Sequence, residues 1–244
     1  MRSELFSAEN LEKESEQPGL RLQNSKMLKI ELRGDCMARV GSMVAYQGQV
    51  QFQALGSGGI GKFIKQKLTG EGVPLMKVSG NGDVFLGDRA ADIHLIDLDQ
   101  GDALSINGAN VLAFESSLQY DIKMVQGAGM MSSAGLFNCV FTGRGRIAVT
   151  TKGTPVVLTV DQPTYVDPQA AICWSASLQT GYHRAEQMGL GTLLGRTTGE
   201  AFTMSFAGQG FVVVQPSEEP PGGIAGAAAG QQQSGGVLGG LLGH

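Results

Sequence analysis

The chain has 244 residues, of which 42% are hydrophobic and only 16% are charged. This length suffices for one or two domains with a sizeable core. The formal net charge of −4 argues against a general nucleic-acid binder, which usually carries a basic surface, so no nucleic-acid partner is predicted.

The N-terminal residues 1–19 are polar and acidic, without the apolar segment of a secretory signal peptide. No stretch of the chain approaches the ~18 consecutive apolar residues that a membrane-spanning helix needs. Cys36, Cys139 and Cys173 are far apart and form no CxxC pair, which is typical of reduced, buried thiols. We therefore predict a cytoplasmic location.

The first break in a chain of predicted strands is IGKFIKQKL at 60–68, where apolar residues recur at helical spacing. One interpretation is a short amphipathic helix that caps a β core, with its lysines in solvent. The other is an interaction patch that binds a membrane surface or an acidic partner. The residues of this candidate patch are Lys62, Phe63, Lys65 and Lys67.

A glycine-x-glycine motif, here called the GxG motif, occurs three times between two alternating apolar runs. The three copies are VSGNGDVFL (78–86), FTGRGRIAV (141–149) and FAGQGFVVV (206–214). Alternation of apolar and polar residues indicates strands with one buried face. Glycine supplies the positive φ of tight turns, so each motif predicts a β-hairpin. A phosphate-binding loop would need a helix after the glycines, and β-branched residues follow instead.

The repeats extend beyond these motifs, because AFESSLQ (113–119) is similar to CWSASLQ (173–179), with a fainter copy at 43–52. Many short strands separated by turn residues predict an all-β, antiparallel sandwich or barrel-like fold. We predict a single β domain over 20–216, built from three related hairpin units at 20–90, 91–153 and 154–216. Residues 217–244 are rich in Gly, Ala and Gln, and they predict a flexible tail.

Motifs for catalysis are scarce, and neither a nucleophile elbow nor a zinc-binding spacing is present. His94 falls within an alternating run and is interpreted as a solvated or hydrogen-bonded strand residue. The acidic cluster DLDQGD, with Asp97, Asp99 and Asp102, is the weak candidate for a metal site. The alternative for this cluster is a β-turn rich in Asp and Gly. No cofactor and no catalytic residue are predicted.

The stretch of about 25–216 resembles a widespread family named after a yeast protein required for normal inheritance of mitochondria, the mitochondrial biogenesis family. The motifs that carry the resemblance are GSMVAYQGQV, GSGGIGKFIKQKLTGEG, MKVSGNGDVFL, VLAFESSLQYDI and GEAFTMSFAGQGFVVVQ. The resemblance implies a compact β fold of the double-stranded β-helix type, similar to the tryptophan RNA-binding attenuation protein, and self-association. It implies no catalytic residues.

The leading hypothesis is therefore a non-enzymatic, oligomeric scaffold or adaptor. The first alternative is peripheral membrane binding through the basic helix at 60–68. The second is binding of a small ligand or an ion in the sandwich near Asp97–Asp102.

Overall fold

A computed structural model of the chain describes residues 3–13, 17–55, 73–124, 137–184 and 202–217. Within these ranges the chain forms sixteen strands and three short 3-10 helices, at Glu4–Phe6, Ala8–Asn10 and Gly108–Asn110. Every strand pair in the described ranges is antiparallel, which confirms the all-β, antiparallel prediction. The amphipathic helix predicted at 60–68 lies outside the described residues.

In chain order the strands are β1 (Gly19–Asn24), β2 (Met27–Arg39), β3 (Met43–Ala54), β4 (Leu75–Leu86), β5 (Asp92–Leu98), β6 (Ala103–Asn107), β7 (Val111–Glu115), β8 (Gln119–Met124), β9 (Phe137–Thr142), β10 (Gly145–Thr151), β11 (Val156–Val160), β12 (Thr164–Val166), β13 (Ala171–Ser175), β14 (Gln179–Arg184), β15 (Phe202–Ala207) and β16 (Gly210–Val214).

The described strands form three sheets. The first has seven strands in the order β3-β4-β2-β7-β10-β5, with β1 paired to β2 outside this order. The second has six strands in the order β11-β16-β13-β6-β9-β8, and the third has three in the order β12-β15-β14. Every sheet therefore has open edges, and β3, β5, β8, β11, β12 and β14 are edge strands among the described residues.

One pairing scheme occurs around each GxG motif. In the middle of the chain, β9 pairs with β6 and β8, while β10 pairs with β5 and β7. In the last third, β15 pairs with β12 and β14, while β16 pairs with β11 and β13. In the first third, the single twelve-residue strand β4 pairs with the long strands β2 and β3. The long strands of the first third thus take the place of pairs of shorter strands later.

The prediction that each GxG motif turns a β-hairpin is wrong. Gly80 and Gly82 lie inside the continuous strand β4. The second and third motifs join strands of different sheets, β9 to β10 and β15 to β16. Gly80, Gly143 and Gly208 do have positive φ angles of 126°, 97° and 121°. A positive φ permits a sharp bend as well as a reversal. At the second and third motifs the glycines bend the chain from one sheet to the next, whereas the first motif lies within β4.

Aromatic and aliphatic side chains from the inner faces of these strands form the core. Phe114 and Phe141 are fully buried and meet edge to face with ring centroids 4.9 Å apart. Trp174 and Phe206 make a similar contact at 5.4 Å in a separate cluster formed by the last third of the chain. Each such ring contributes about 1.5–3 kcal/mol through burial.

Two strand pairs join successive thirds of the chain, and a polar side chain spans each junction, half-buried at the first and buried at the second. At the junction of β2 with β7, Nε of Arg39 donates to the carbonyl oxygen of Val111 at 2.8 Å. At the junction of β6 with β13, Nδ2 of Asn107 donates to the carbonyl oxygen of Ala171 at 3.1 Å. Burial lowers the pKa of the Arg39 guanidinium, which nevertheless stays charged.

Candidate interaction surface

The first half of β3 differs from its counterparts in exposure. Every side chain of β3 is exposed apart from Val50 and Phe52, which are half-buried. The first four residues of β7 and of β13 are all buried, although these strands occupy the corresponding place in the pairing scheme. Strands β7 and β13 have a neighbour on both sides, whereas β3 pairs with β4 alone among the described strands.

The sequence of β3 has no feature that discourages pairing with another strand. Its twelve residues, MVAYQGQVQFQA, include no charged residue and no proline. Natural proteins usually protect an exposed edge strand with charge, proline, a bulge or a short length. In β3 a single register shift between Met43 and Ala45 is present, and the pairing with β4 then continues without a further shift to Ala54, through Gly48 with a φ of 90°. The exposed backbone of β3, here called the β3 edge, is therefore suited to accept a further strand.

Exposed apolar side chains lie along the first half of β3 and could be buried by a binding partner. Met43, Val44 and Tyr46 are 41%, 56% and 48% exposed. The Tyr46 ring packs edge to face on Phe52 at a centroid distance of 5.4 Å, which holds one face of the strand in a defined arrangement. Exposed apolar residues that are contiguous, rather than scattered, are typical of interaction surfaces.

Glycines hold the β3 edge firmly against the rest of its sheet. A Cβ atom on Gly80 would lie 2.1 Å from the carbonyl oxygen of Gln49, and one on Gly82 would lie 2.0 Å from that of Gln47. Gly48 on β3 is similarly close to β4. The two backbones thus approach more closely at these glycines than a Cβ atom would allow.

The N-terminal segment is tied to the first sheet by Lys29 of β2, which is only 3% exposed. Its Nζ atom lies 2.5 Å from Glu12 Oε1 and 3.4 Å from Asp83 Oδ2. Burial lowers the pKa of Lys29, but the hydrogen bond with Glu12 and the charge of Asp83 outweigh this effect and raise it. The buried ammonium is thus a structural charge with two acidic partners.

The predicted acidic cluster is resolved into separate interactions. Both carboxylate oxygens of Asp97 accept hydrogen bonds from Arg146, at 2.6 and 3.0 Å, and this contact lowers the pKa of Asp97. Asp102 accepts a hydrogen bond from the backbone N–H of Asp99 at 3.0 Å, within a β-turn. Across the described ranges, no group of three His, Cys, Asp or Glu side chains is arranged to hold a metal ion.

The three cysteines are buried in the core, and His94 makes a hydrogen bond within its sheet. Burial raises the pKa of each thiol, of Cys36, Cys139 and Cys173, to about 12. Such thiols stay protonated at neutral pH and are poor nucleophiles. The His94 ring lies 2.9 Å from the hydroxyl of Thr151 on the neighbouring strand β10, which confirms a hydrogen-bonded strand histidine.

A shallow polar cleft of about 460 Å³ lies beside the Asp99–Asp102 turn and the second GxG motif. Its lining includes Gln100, Asp102, Ser117, Gln119 and Arg144. The candidate patch formed by Lys62, Phe63, Lys65 and Lys67 lies outside the described residues, so its binding role stays a prediction. The sequence alone predicts only a faint repeat at 43–52 and does not predict the β3 edge. The absence of charged residues from 43–54 is the sequence feature that could have indicated it.

The fold and this surface define an all-β antiparallel protein with an open, uncharged sheet edge. The family model described as "Mitochondrial biogenesis AIM24" matches residues 20–217, and the chain belongs to this family. The description names a biological process and no chemical reaction. No curated protein matches the chain. Among the described residues, no helix combines the length and apolar character needed to cross a membrane.

A solved structure has a similar fold. The crystal structure of protein SPYM3_0169 from Streptococcus pyogenes is 22% identical in sequence, with a TM-score of 0.63. The match covers 82% of this chain and 92% of the streptococcal one. At this identity the likeness establishes the fold alone.

Proposed function

We propose that the protein is a non-enzymatic scaffold or adaptor that works by self-association through the β3 edge. The observation that carries this proposal is a twelve-residue, uncharged edge strand whose first seven residues are all exposed, whereas the equivalent strands β7 and β13 are buried over their first four residues. Membership of the mitochondrial biogenesis family is compatible with an organising role and adds no reaction to it.

The side chains that carry chemistry in many enzymes have structural partners here. The three thiols are buried and protonated, and Asp97 is neutralised by Arg146. A catalytic group needs both access to a substrate and a suitable pKa. The three thiols meet neither condition, and the exposed Asp97 carboxylate is engaged by Arg146, which favours binding over catalysis.

The proposal is tested by the mass of the protein in solution. Native mass spectrometry and light scattering over a range of concentrations should show oligomers whose share rises with concentration. Val44→Lys places a charge on the β3 edge and should shift the protein toward monomer by tenfold or more in dissociation constant. Val157→Lys is the matched control, because Val157 is also exposed but lies on β11. A wild-type protein that stays monomeric at every concentration would contradict the proposal.

A second proposal concerns the polar cleft beside the Asp99–Asp102 turn. Its volume of about 460 Å³ lies within the range of small-molecule sites. Arg144 and Asp102 supply charges of both signs on its walls, so we propose that it takes a small polar ligand. A thermal-shift screen against metals and common metabolites should give a response that Arg144→Ala removes. A flat response across the panel would rule against this second function.

A further inference from the structure

The two junctions between successive thirds of the chain use the same kind of strand pair. At the first, β2 pairs with β7 through three residue pairs, with Met37 opposite Phe114. At the second, β6 pairs with β13, again through three residue pairs, with Ser105 opposite Trp174. Each junction therefore joins a strand of one third to a buried strand of the next.

The register identifies the residue of β3 that corresponds to Phe114 and Trp174. Phe114 lies opposite Ile147, four residues after the first glycine of the second GxG motif. Trp174 lies opposite Val212, four residues after the first glycine of the third motif. Tyr46 lies opposite Val84, four residues after Gly80. Tyr46 thus occupies the position whose counterparts are buried at both junctions.

The same register identifies the residue of β12 that corresponds to Met37 and Ser105. Met37 lies opposite Lys77, and Ser105 opposite Val140, in each case three residues before the first glycine of the motif. Tyr165 lies opposite Ser205, three residues before Gly208. Strand β12 is therefore the counterpart of the strands that cover β7 and β13.

One chain thus contains both strands that a third junction of this kind would need, β3 in its first third and β12 in its last third. Strand β12 is at an edge of the third sheet, β3 is at an edge of the first, and no described strand pair joins them. We propose that β12 of one copy pairs antiparallel with the first half of β3 of a second copy, with Tyr165 opposite Tyr46. This inference rests on the proposed function and names the partner of the β3 edge as a second copy of this chain.

The chemistry of the two edges fits this pairing. β12 consists of Thr164, Tyr165 and Val166, so neither of the two strands contains a charged residue. Tyr165 is 62% exposed, and cross-strand aromatic pairs are favourable in antiparallel sheets. The contact joins two different surfaces, so it is head-to-tail, and each copy can engage two neighbours.

The junction between copies lacks the polar side chain that spans each internal junction. Arg39 and Asn107 lie two residues after Met37 and Ser105, and the corresponding residue of the third junction is Asp167. Its Oδ1 atom accepts hydrogen bonds from the backbone N–H groups of Gln169 and Ala170, at 2.7 and 3.3 Å. A carboxylate cannot donate to the facing carbonyl, so the association is weaker than the internal junctions and reversible.

Thiol crosslinking tests the register directly. A Tyr46→Cys chain is mixed with a Tyr165→Cys chain and treated with a short thiol-reactive crosslinker. Opposite residues of an antiparallel pair have Cβ atoms about 5 Å apart, so we expect a covalent dimer from this mixture. Mixing Tyr46→Cys with Val157→Cys is the matched control and should give at least tenfold less dimer. The three native thiols are buried, with pKa values of about 12, and contribute little background.

A chain that carries both Tyr46→Cys and Tyr165→Cys distinguishes pairing between copies from pairing within one chain. A ladder of dimers, trimers and larger species is expected from head-to-tail pairing. Crosslinking confined to the monomer would overturn the inference, because the two edges would then meet within one chain. Wild-type oligomers that are sensitive to Val44→Lys but give no Tyr46–Tyr165 crosslink would overturn the register and leave the proposed function standing. A wild-type monomer at every concentration would overturn both.

Discussion

Strands β7 and β3 occupy the same place in the pairing scheme and have opposite surroundings. Both pair on one side with the residues that follow a GxG motif, in the same register and with an irregularity at the same point. Phe114 of β7 is fully buried, whereas Tyr46 of β3 is 48% exposed. The difference arises from the second side, where β7 meets β2 and β3 meets no described strand.

This comparison indicates that the burial of a strand in this fold depends on its neighbour rather than on its own sequence. VLAFE and MVAYQ have similar patterns, with an aromatic residue at the fourth position of each. The Tyr46 side chain, at the edge of its sheet, would become as buried as Phe114 only if another strand paired with β3. Among the described strands, β3 thus lacks the second neighbour that β7 and β13 have.

The largest expected difference in stability is between two alanine variants, one at Phe114 of β7 and one at Tyr46 of β3. Phe114→Ala removes a ring from the core and should lower the free energy of unfolding by about 3–5 kcal/mol. Tyr46→Ala should lower that of the dilute monomer by only about 1 kcal/mol, since about half of the side chain is in solvent and its ring contact is with Phe52. Urea unfolding at low protein concentration measures both. Equal losses for the two variants would mean that β3 is covered by its own chain.

Glycine substitutions should separate backbone contact from backbone conformation. Gly82 and Gly34 both have positive φ, of 154° and 119°, but only at Gly82 would a Cβ atom meet a backbone oxygen. Gly34→Ala should cost about 1–2 kcal/mol through conformation alone, and Gly82→Ala at least about 1 kcal/mol more. Hydrogen exchange of β3 should accelerate in Gly82→Ala. Matching behaviour of the two variants would argue against a close β3–β4 contact.

Arg39→Met should weaken the junction of β2 with β7. Among the described strands, β3 has no neighbour that corresponds to β2 in this junction. The substitution leaves the carbonyl oxygens of Gly108 and Val111 without the guanidinium and should lower the free energy of unfolding by about 1–3 kcal/mol. Arg33→Met, at an exposed position of the same strand, should change it by less than about 0.5 kcal/mol. Thermal and urea unfolding of both variants checks the prediction, which an undiminished stability of Arg39→Met would refute.

The smallest effect concerns pH at the other edge of the first sheet. Arg146 holds the pKa of Asp97 below its unfolded value, so the ion pair stabilises the fold above the unfolded pKa of about 3.9. This stabilisation is lost as the pH falls through the lower folded pKa. Because Asp97 is 66% exposed, the difference between wild type and Asp97→Asn should be below about 1 kcal/mol at pH 7. Urea unfolding should show this difference shrinking toward pH 3, and a constant difference would contradict the pairing.

The sequence predicted those features that depend on local pattern. The alternation at Leu28, Ile30 and Leu32 corresponds to buried residues of β2, and the first glycine of each GxG motif does take a positive φ. The motifs were interpreted as hairpins because apolar alternation resumes on both sides of a corner as it does on both sides of a reversal. Only the sheet order distinguishes the two, and that order is set by contacts between distant residues.

The candidate site shows the same limit. The pairing of Asp97 with Arg146 spans 49 residues, so the spacing of DLDQGD alone could not reveal that the carboxylate is engaged. The exposure of β3 depends on which strand lies beside it, and similar sequences at β7 and β13 are buried. The lack of charge in β3 is the local feature from which an interaction surface could have been predicted.

Hydrogen–deuterium exchange of residues 43–48, followed over a wide range of protein concentration, tests the central claim most directly. The account predicts fast exchange in the dilute monomer and a progressive slowing as copies associate, while residues 111–114 stay protected throughout. Exchange of residues 43–48 that does not change with concentration, whether fast or slow, would contradict the β3 edge as the surface of self-association.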